Sequence, residues 1–281
     1  RRAQGILQAE IPDAYVCISS DILPEIREFE RTSTTVVNAY LGPVLDRYLS
    51  ALSERLRDFG YDGPMLITHS GGGVMSVEAA REIPARICQS GPAAGVMAGA
   101  NLGRATDRPN VINLDVGGTS ADVSLARGGR PLIRAEWNIN FNITINFPSV
   151  DVATIGAGGG SIARVDTGGV LKVGPESAGA RPGPACYRQG GEAPTVTDAN
   201  LLLGYFNADF FLGGRMNLDT SAADAAVASV AELMSLSTIE TAWGIHEIVC
   251  ENMAAAARGH IVEKGRDPRR YAVVGMGGAG P

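Results

Sequence analysis

The sequence is short of most features that mark a partner class at once. It has no basic run, aromatics make up 6% of 281 residues and the net charge is −6, so no nucleic-acid partner is expected. No apolar stretch reaches the ~18 residues of a membrane helix, so no membrane partner is expected either. Behind Arg1 and Arg2 there is no long apolar region of the signal-peptide kind, and the expected location is the cytoplasm. The four cysteines, Cys17, Cys88, Cys186 and Cys250, are far apart, form no CxxC pair and have no zinc-ligand spacing. They read as free thiols of a reducing compartment. Walker and GxGxxG loops are absent, and no period of 20–50 residues repeats, which excludes solenoids and propellers.

Glycine is what the chain has in excess: 36 residues, about 13% against a usual ~7%. The glycines cluster in short runs between apolar segments, as shaped loops do and linkers do not. Residues 32–59 carry apolar side chains three and four apart (Val44, Leu45, Tyr48, Leu49, Leu52, Leu56) and predict a helix, with Thr32 as its cap, Pro43 starting or kinking it and Gly60 stopping it. "AYVCISS" (14–20) reads as a strand, "PMLIT" as a strand into a glycine loop, and "SVEAAREIP" as a short helix closed by Pro84. "SGPAAGVMAGANLG" (90–103) predicts a helix of small residues that packs close to a neighbour. From Val111 strands dominate: "VINLDV" and "SADVSLA" around a GGT turn, then 140–146, 160–165 and 169–173. The Gly- and Pro-rich stretch 174–197 reads as an ordered loop, followed by helices over 221–234 and 239–264 and a last strand "YAVVGM". Strands with helical crossovers make the class α/β. A first strand without a partner and a final glycine turn without its helix predict a piece of a longer polypeptide.

"NLDVGGTSAD" concentrates the chemistry. Gly117 and Gly118 lack Cβ atoms, so backbone N–H groups can approach an anion. Thr119 adds a hydroxyl donor, and Asp115 at the strand end can hold Mg²⁺ through its waters. Asp122 can cap the turn or join the metal sphere. Taken alone, an ordinary Gly-Gly hairpin turn fits equally well. Three further glycine turns, "THSGGGVMS" (68–76), "IGAGGGSIA" (155–163) and "GMGGAGP" (275–281), are hard to explain as hairpins, and the last follows a strand as nucleotide-binding turns do. Asp151, Gly158, Gly159, Asp198 and His69 are substrate-side candidates. Gly156 and Gly160 either line the cleft or only turn a strand, Asn200 opens the same helix as Asp198, Asp198 fits a helix N-cap equally well, and a lone histidine such as His69 is more often structural. His246 and His260 lie fourteen residues apart on one predicted helix, about 21 Å at its rise, and cannot share a metal.

Together "LPEIREFERTSTTVVNAYLGPVL", "HSGGGVMS", "QSGPAAGVMAG", "NLDVGGTSADVSL", "TIGAGGGSIARVD", "VGPESAGARPGPACY", "TVTDANLLLGY" and "GMGGAGP" resemble the hydantoinase A/5-oxoprolinase family. That family belongs to the actin, sugar-kinase and heat-shock-chaperone ATPases. The resemblance implies a ribonuclease-H-like, actin-type α/β fold whose two related domains close on ATP with Mg²⁺. This chain would hold the later part of the first domain (1–106, with an interdomain helix at 90–103) and most of the second (107–281, truncated at its C-terminus). Asp115, Gly117, Gly118 and Thr119 would form the second phosphate loop, with Asp115 and Thr119 catalytic, and Gly277, Gly278 and Gly280 the adenosine loop. The first phosphate loop would lie upstream of Arg1 and the second interdomain helix beyond Pro281, so the piece alone is expected to be inactive. The implied reaction is ATP-driven opening of a small cyclic amide such as a hydantoin or 5-oxoproline, with a hydantoinase B-like second subunit or domain as partner. ATP-dependent carboxylation of a ketone, or a non-catalytic role at a subunit interface, are the alternatives.

Overall fold

The computed structural model describes residues 1–140 and 142–279. In chain order it forms α1 (Arg2–Glu10), α2 (Ser19–Ile22), α3 (Glu28–Asp58), β1 (Leu66–Thr68), β2 (Val74–Ser76), α4 (Val77–Glu82) and α5 (Ser90–Ala105). There follow β3 (Val111–Val116), β4 (Ala121–Arg127), β5 (Arg130–Pro131), β6 (Ile133–Arg134), β7 (Trp137–Asn140), β8 (Ile143–Ile145) and β9 (Ser149–Val150). The remainder is β10 (Val152–Ile155), β11 (Ser161–Val165), β12 (Leu171–Ser177), α6 (Val196–Leu202), α7 (Thr220–Met234), α8 (Thr238–Glu263) and β13 (Ala272–Met276). The chain divides into two compact units, Arg1–Asn101 with Arg130–Asp151, and Leu102–Gly129 with the residues from Val152 onward.

The boundary at 106/107 drawn from the sequence assigns 130–151 to the second domain, whereas that excursion groups with the first unit. The reason is its attachment to α3. Ser33 Oγ donates to Thr144 O and accepts from Thr144 N, both at 2.9 Å, and Asn146 N donates to Thr34 Oγ1 at 3.0 Å. Ile145 and Phe147 then complete a buried cluster with Ile22, Leu23 and Ala85.

In the first unit α3 starts one turn earlier than the sequence predicts. Glu28 and Glu30 occupy its first turn, where carboxylates suit the positive end of the helix dipole. Thr32 is therefore not a cap, and the hydroxyls of Thr34 and Thr35 bond back to the carbonyls of Glu30 and Arg31. The helix continues past Pro43. Leu49 is buried against Val77 and Ala80.

The "AYVCISS" segment is no strand. It lies on α3 through Tyr15, whose hydroxyl donates to Arg81 O at 2.8 Å and whose ring fills the notch at Gly42. A Cβ on Gly42 would stand 2.5 Å from that ring.

In the second unit β3 and β4 form the expected antiparallel hairpin, with Asp115 opposite Asp122 and Val116 opposite Ala121. The strand β10, which the sequence reading misses, pairs antiparallel with β4, and β13 lies parallel beside β3. A separate pair, β11 and β12, carries a second core in which Leu171 and Val173 meet Val227, Ile245 and Val249 of α7 and α8. Ser235 ends α7 in the left-handed region (φ 55°), and a capping box of Ser237 and Glu240 starts α8. No single described helix is long and apolar enough to cross a membrane, and all four cysteines are free thiols.

Because Tyr15 is tethered at its hydroxyl, it cannot swing aside for a methyl group. Gly42→Ala is expected to lower unfolding stability by about 1–3 kcal/mol, the usual cost of overpacking. Urea unfolding of the variant, with Tyr15→Phe/Gly42→Ala as a relief control, checks this.

Candidate functional site

The parallel pairing of β13 with β3 sets Met276 opposite Asp115, so the turn after β13 lies against the end of β3. Gly277 sits there at φ 99°, where a Cβ would be 2.3 Å from Val116 O and 2.4 Å from Asp115 Oδ1. Only glycine meets both demands, the positive φ and the close approach. Ala279 N then donates to Val116 O at 3.0 Å, which ties the two turns together.

The 156–160 turn closes on the same place from the other side. Gly159 N donates to Gly117 O at 3.1 Å and Gly160 N to Gly118 O at 2.6 Å. The fit is backbone on backbone: a Cβ on Gly158 would be 2.6 Å from Gly117 O, and one on Gly160 2.9 Å from Gly118 O. Gly159 O accepts from both Thr197 N (2.7 Å) and Thr197 Oγ1 (2.8 Å), so α6 braces the turn from behind. Gly118 has nothing within 4 Å on its Cβ side, and Thr119 beside it is exposed.

A cavity of about 310 Å³ opens here. Gly118, Thr119, Gly159 and Gly278 form one end, and Tyr187, Phe206, Phe211 and Met216 the other. Gly159 N is spent on Gly117 O, so one group offers the Thr119 hydroxyl and the peptide groups of Gly118, Thr119 and Gly278, and the other apolar surface. That combination suits an anionic group attached to a ring or an apolar body.

Asp115 and Asp122 face each other across the hairpin. Thr154 Oγ1 donates to Asp122 Oδ1 at 2.6 Å. Burial, then the Asp122 charge, pushes the Asp115 carboxyl above the ordinary carboxylate range. Among the described residues no cluster of three or more His, Cys, Asp or Glu could hold a metal ion. The two-carboxylate edge nevertheless fits Mg²⁺, which keeps several waters and takes phosphate oxygens as ligands.

The structure thus gathers Gly117, Gly118, Thr119, Gly158, Gly159, Gly277 and Gly278 with Asp115, while Gly280 lies outside the described residues. Asp151 and His69 belong to the first unit. Asp151 is buried and its charge supports the Arg134 guanidinium against desolvation. His69 accepts from Gly71 N through Nδ1 at 3.1 Å, and its ring lies 2.6 Å from where a Cβ of Gly73 would stand. Burial, then the Arg86 charge, lowers its pKa.

Asp198 is neither an N-cap nor open to a substrate. Thr195 is the cap of α6, and Asp198 completes its capping box from the third helical position. Fully buried, it accepts from Thr195 N, Thr195 Oγ1, Ala185 N and Cys186 N at 2.7–3.3 Å. Its oxygens are saturated by the fold. The brace at Thr197 and the apolar wall escaped the sequence reading. The Thr195–Asp198 spacing was a visible capping signal, but nothing local announces that Thr197 points at Gly159.

The family described as hydantoinase/oxoprolinase matches residues 31–281. The alpha subunit of caprolactamase from Pseudomonas jessenii is 42% identical over 280 residues, which cover 99% of this chain and 40% of that protein. The gamma subunit of acetophenone carboxylase from Aromatoleum aromaticum is 38% identical over 295 residues, with 100% of this chain and 39% of that one covered. A nucleotide-free acetone carboxylase structure superposes with a TM-score of 0.85 at 31% identity, over 97% of this chain and 39% of that one. The chain spans about 40% of the length of these relatives.

Two outcomes follow from the site's electrostatics. Removing the Asp198 carboxylate strands several buried donors, so Asp198→Ala is expected to cost on the order of 3 kcal/mol or more in chemical unfolding. Asp115 behaves oppositely. A carboxyl whose folded pKa lies above its unfolded one holds its proton more tightly when folded. Its charge therefore costs stability at neutral pH, and that cost disappears as pH falls through the folded value. Asp115→Asn should melt at or above the wild-type temperature at pH 7, with the gap closing on acidification, in thermal scans at stepped pH.

Proposed function

This chain belongs to the hydantoinase/oxoprolinase family, and on that premise we propose that it is the nucleotide-holding part of an ATP-dependent cyclic-amide hydrolase. The observation that carries the reading is the interlock of the 117–118, 158–160 and 277–279 turns, which fixes Gly118, Thr119 and Gly278 around one cavity and brings Gly277 against Asp115. The fold class is the mixed α/β architecture of actin-like ATPases, in keeping with the acetone carboxylase superposition. The caprolactamase relative supports a lactam-type substrate.

An unstrained amide is a poor electrophile, and ATP with Mg²⁺ supplies a phosphoryl group that turns the carbonyl oxygen into a leaving group. The chain's own contribution is positioning and charge. The turn at Gly117 and Gly118, closed by Gly117 N on Ser120 O, and the Thr119 hydroxyl would hold phosphate oxygens, and Asp115, with Asp122 opposite it, would hold the hydrated ion. The apolar wall of Tyr187, Phe206, Phe211 and Met216 keeps water from the neighbouring face.

Ketone carboxylation is the second reading, favoured by the TM-score of 0.85 to acetone carboxylase. It uses the same phosphate-handling residues, with an enolate and bicarbonate-derived carbon in place of water. Both readings include a second subunit or domain. The caprolactamase and acetophenone carboxylase relatives are subunits by name. In support, α3 presents an exposed apolar stripe of Val36, Tyr40, Val44 and Tyr48, each four residues after the one before.

The test is ADP release by the full-length protein with its partner subunit, against caprolactam, hydantoin, 5-oxoproline, and acetone or acetophenone with bicarbonate. Cyclic-amide-dependent release that falls on the order of 100-fold or more in Asp115→Asn is the expected result. Release with ketones and bicarbonate alone moves the assignment to carboxylation. No substrate-dependent release, beside an active family member as control, overturns both.

A further inference from the structure

Away from the glycine loops, α8 carries an arrangement that neither reading uses. Cys250 Sγ lies 3.6 Å from His246 Nε2, one helical turn back, and His246 Nδ1 lies 2.9 Å from Asn200 Oδ1 on α6. An amide oxygen can only accept, so the ring proton sits on Nδ1. The lone pair of Nε2 then faces the thiol. The ring stacks with Tyr205, with centroids 5.0 Å apart, and with Trp243, at 5.5 Å, at interplanar angles of 23° and 25°. Base, orienting amide and thiol therefore stand in the order that nucleophilic cysteine chemistry needs.

Access distinguishes this thiol from the others. Cys250 is exposed, Cys17 and Cys88 are half-buried and Cys186 is buried. Desolvation lifts the Cys88 thiol to about 11 and the Cys186 thiol further still, the latter helped by Asp198. Cys250 is also pushed up, by its partial burial and then by the Glu247 carboxylate. It is thus not a standing thiolate, and its reactivity depends on losing the proton to His246 at the moment of attack. The negative charge of Glu247 favours a cationic reagent over an anionic one.

We propose that Cys250 is an S-thiolation site, with His246 as its general base and Asn200 as the residue that positions the base, and that its reactant is a cationic low-molecular-weight disulfide. The Cys250 proton passes to His246 Nε2 as the sulfur attacks one disulfide sulfur. A new S–S bond forms to Cys250 and the reagent's own S–S bond breaks. The departing thiolate takes the proton back from the imidazolium, so Cys250 is oxidised to a mixed disulfide and one reagent thiol is released. The inference is independent of the ATP reading and stands or falls separately.

Cystamine is the probe. The full-length protein is treated at pH 7, the Cys250 peptide is quantified by mass spectrometry over time, and N-acetylcysteine amide serves as an unassisted thiol. Cys250 is expected to react about 10-fold faster than the reference, and to lose about 10-fold in His246→Gln, as expected for removal of a general base. Asn200→Ala is expected to slow it about 3-fold while the melting temperature of the protein is retained. A wild-type Cys250 no faster than the free thiol overturns the proposal, as does a folded His246→Gln variant that reacts at the wild-type rate. If His246→Gln does not fold, the comparison with the free thiol and the Asn200→Ala rate decide.

Discussion

The contact on which the second unit depends is backbone against backbone. Gly159 N and Gly160 N donate to Gly117 O and Gly118 O, and neither Gly158 nor Gly160 has room for a Cβ. Two turns from distant parts of the sequence meet without side chains between them. The rest is built outward from that meeting. The β3–β4 hairpin presents one turn, β13 in parallel register brings the 277–279 turn to Val116, and α6 locks the other turn through Thr197. Hydrogen bonds of this kind contribute modestly each, but together they leave these peptide groups little freedom to rotate. A cradle for an anion needs that rigidity, because donors that must reorganise on binding lose much of their value.

The same economy explains the polar residues around the site. Asp198 sits three residues beyond Thr195 and one beyond the bracing Thr197, and it spends all its hydrogen-bonding capacity on the start of α6 and the turn at Ala185 and Cys186. Asp115 is in the opposite state. It is partly desolvated, repelled by Asp122 and pushed toward protonation. One carboxylate is satisfied by the fold and holds the frame; the other is left in tension with its surroundings. Groups of the second kind are the ones that gain most when a cation arrives.

How much of this was legible in the sequence follows from the range of each interaction. The helices over 90–103, 221–234 and 239–264 and the VINLDV/SADVSLA hairpin are set by local periodicity and turn chemistry, and they stand within a few residues of their expected bounds. The GGT and GMGGA turns were readable because glycine in such runs has few other uses. What failed was what depends on a distant partner. AYVCISS has strand composition but follows Tyr15 into the notch at Gly42. Thr32 looks like a cap until Glu28 and Glu30 take the first turn. The 130–151 segment follows Ser33 and Thr34 into the first unit. Asp198 carried a correct local signal, a helix start, and a wrong role, because the donors that saturate it include Ala185 and Cys186, a dozen residues away.

A cradle made of peptide groups, as proposed for these turns, limits what the site can tell apart. Backbone amides recognise charge and shape of an anion and are blind to what the anion is attached to, so the turns at 117–118 and 158–160 cannot by themselves separate one acceptor from another. Relatives whose names point to a lactam and to aromatic ketones match this chain almost end to end, at 42% and 38% identity. The proposed phosphate-handling frame accounts for that, since in that reading lactam opening and ketone carboxylation both draw on phosphoryl transfer from ATP. Discrimination then has to come from side chains. In this chain the side chains nearest the cradle are the apolar group of Tyr187, Phe206, Phe211 and Met216. They sit between β12 and α7, packed on Cys186, Leu201 and Leu218 and separate in sequence from the glycine turns, so a change among them alters the apolar wall while the glycines of the interlock stay as they are.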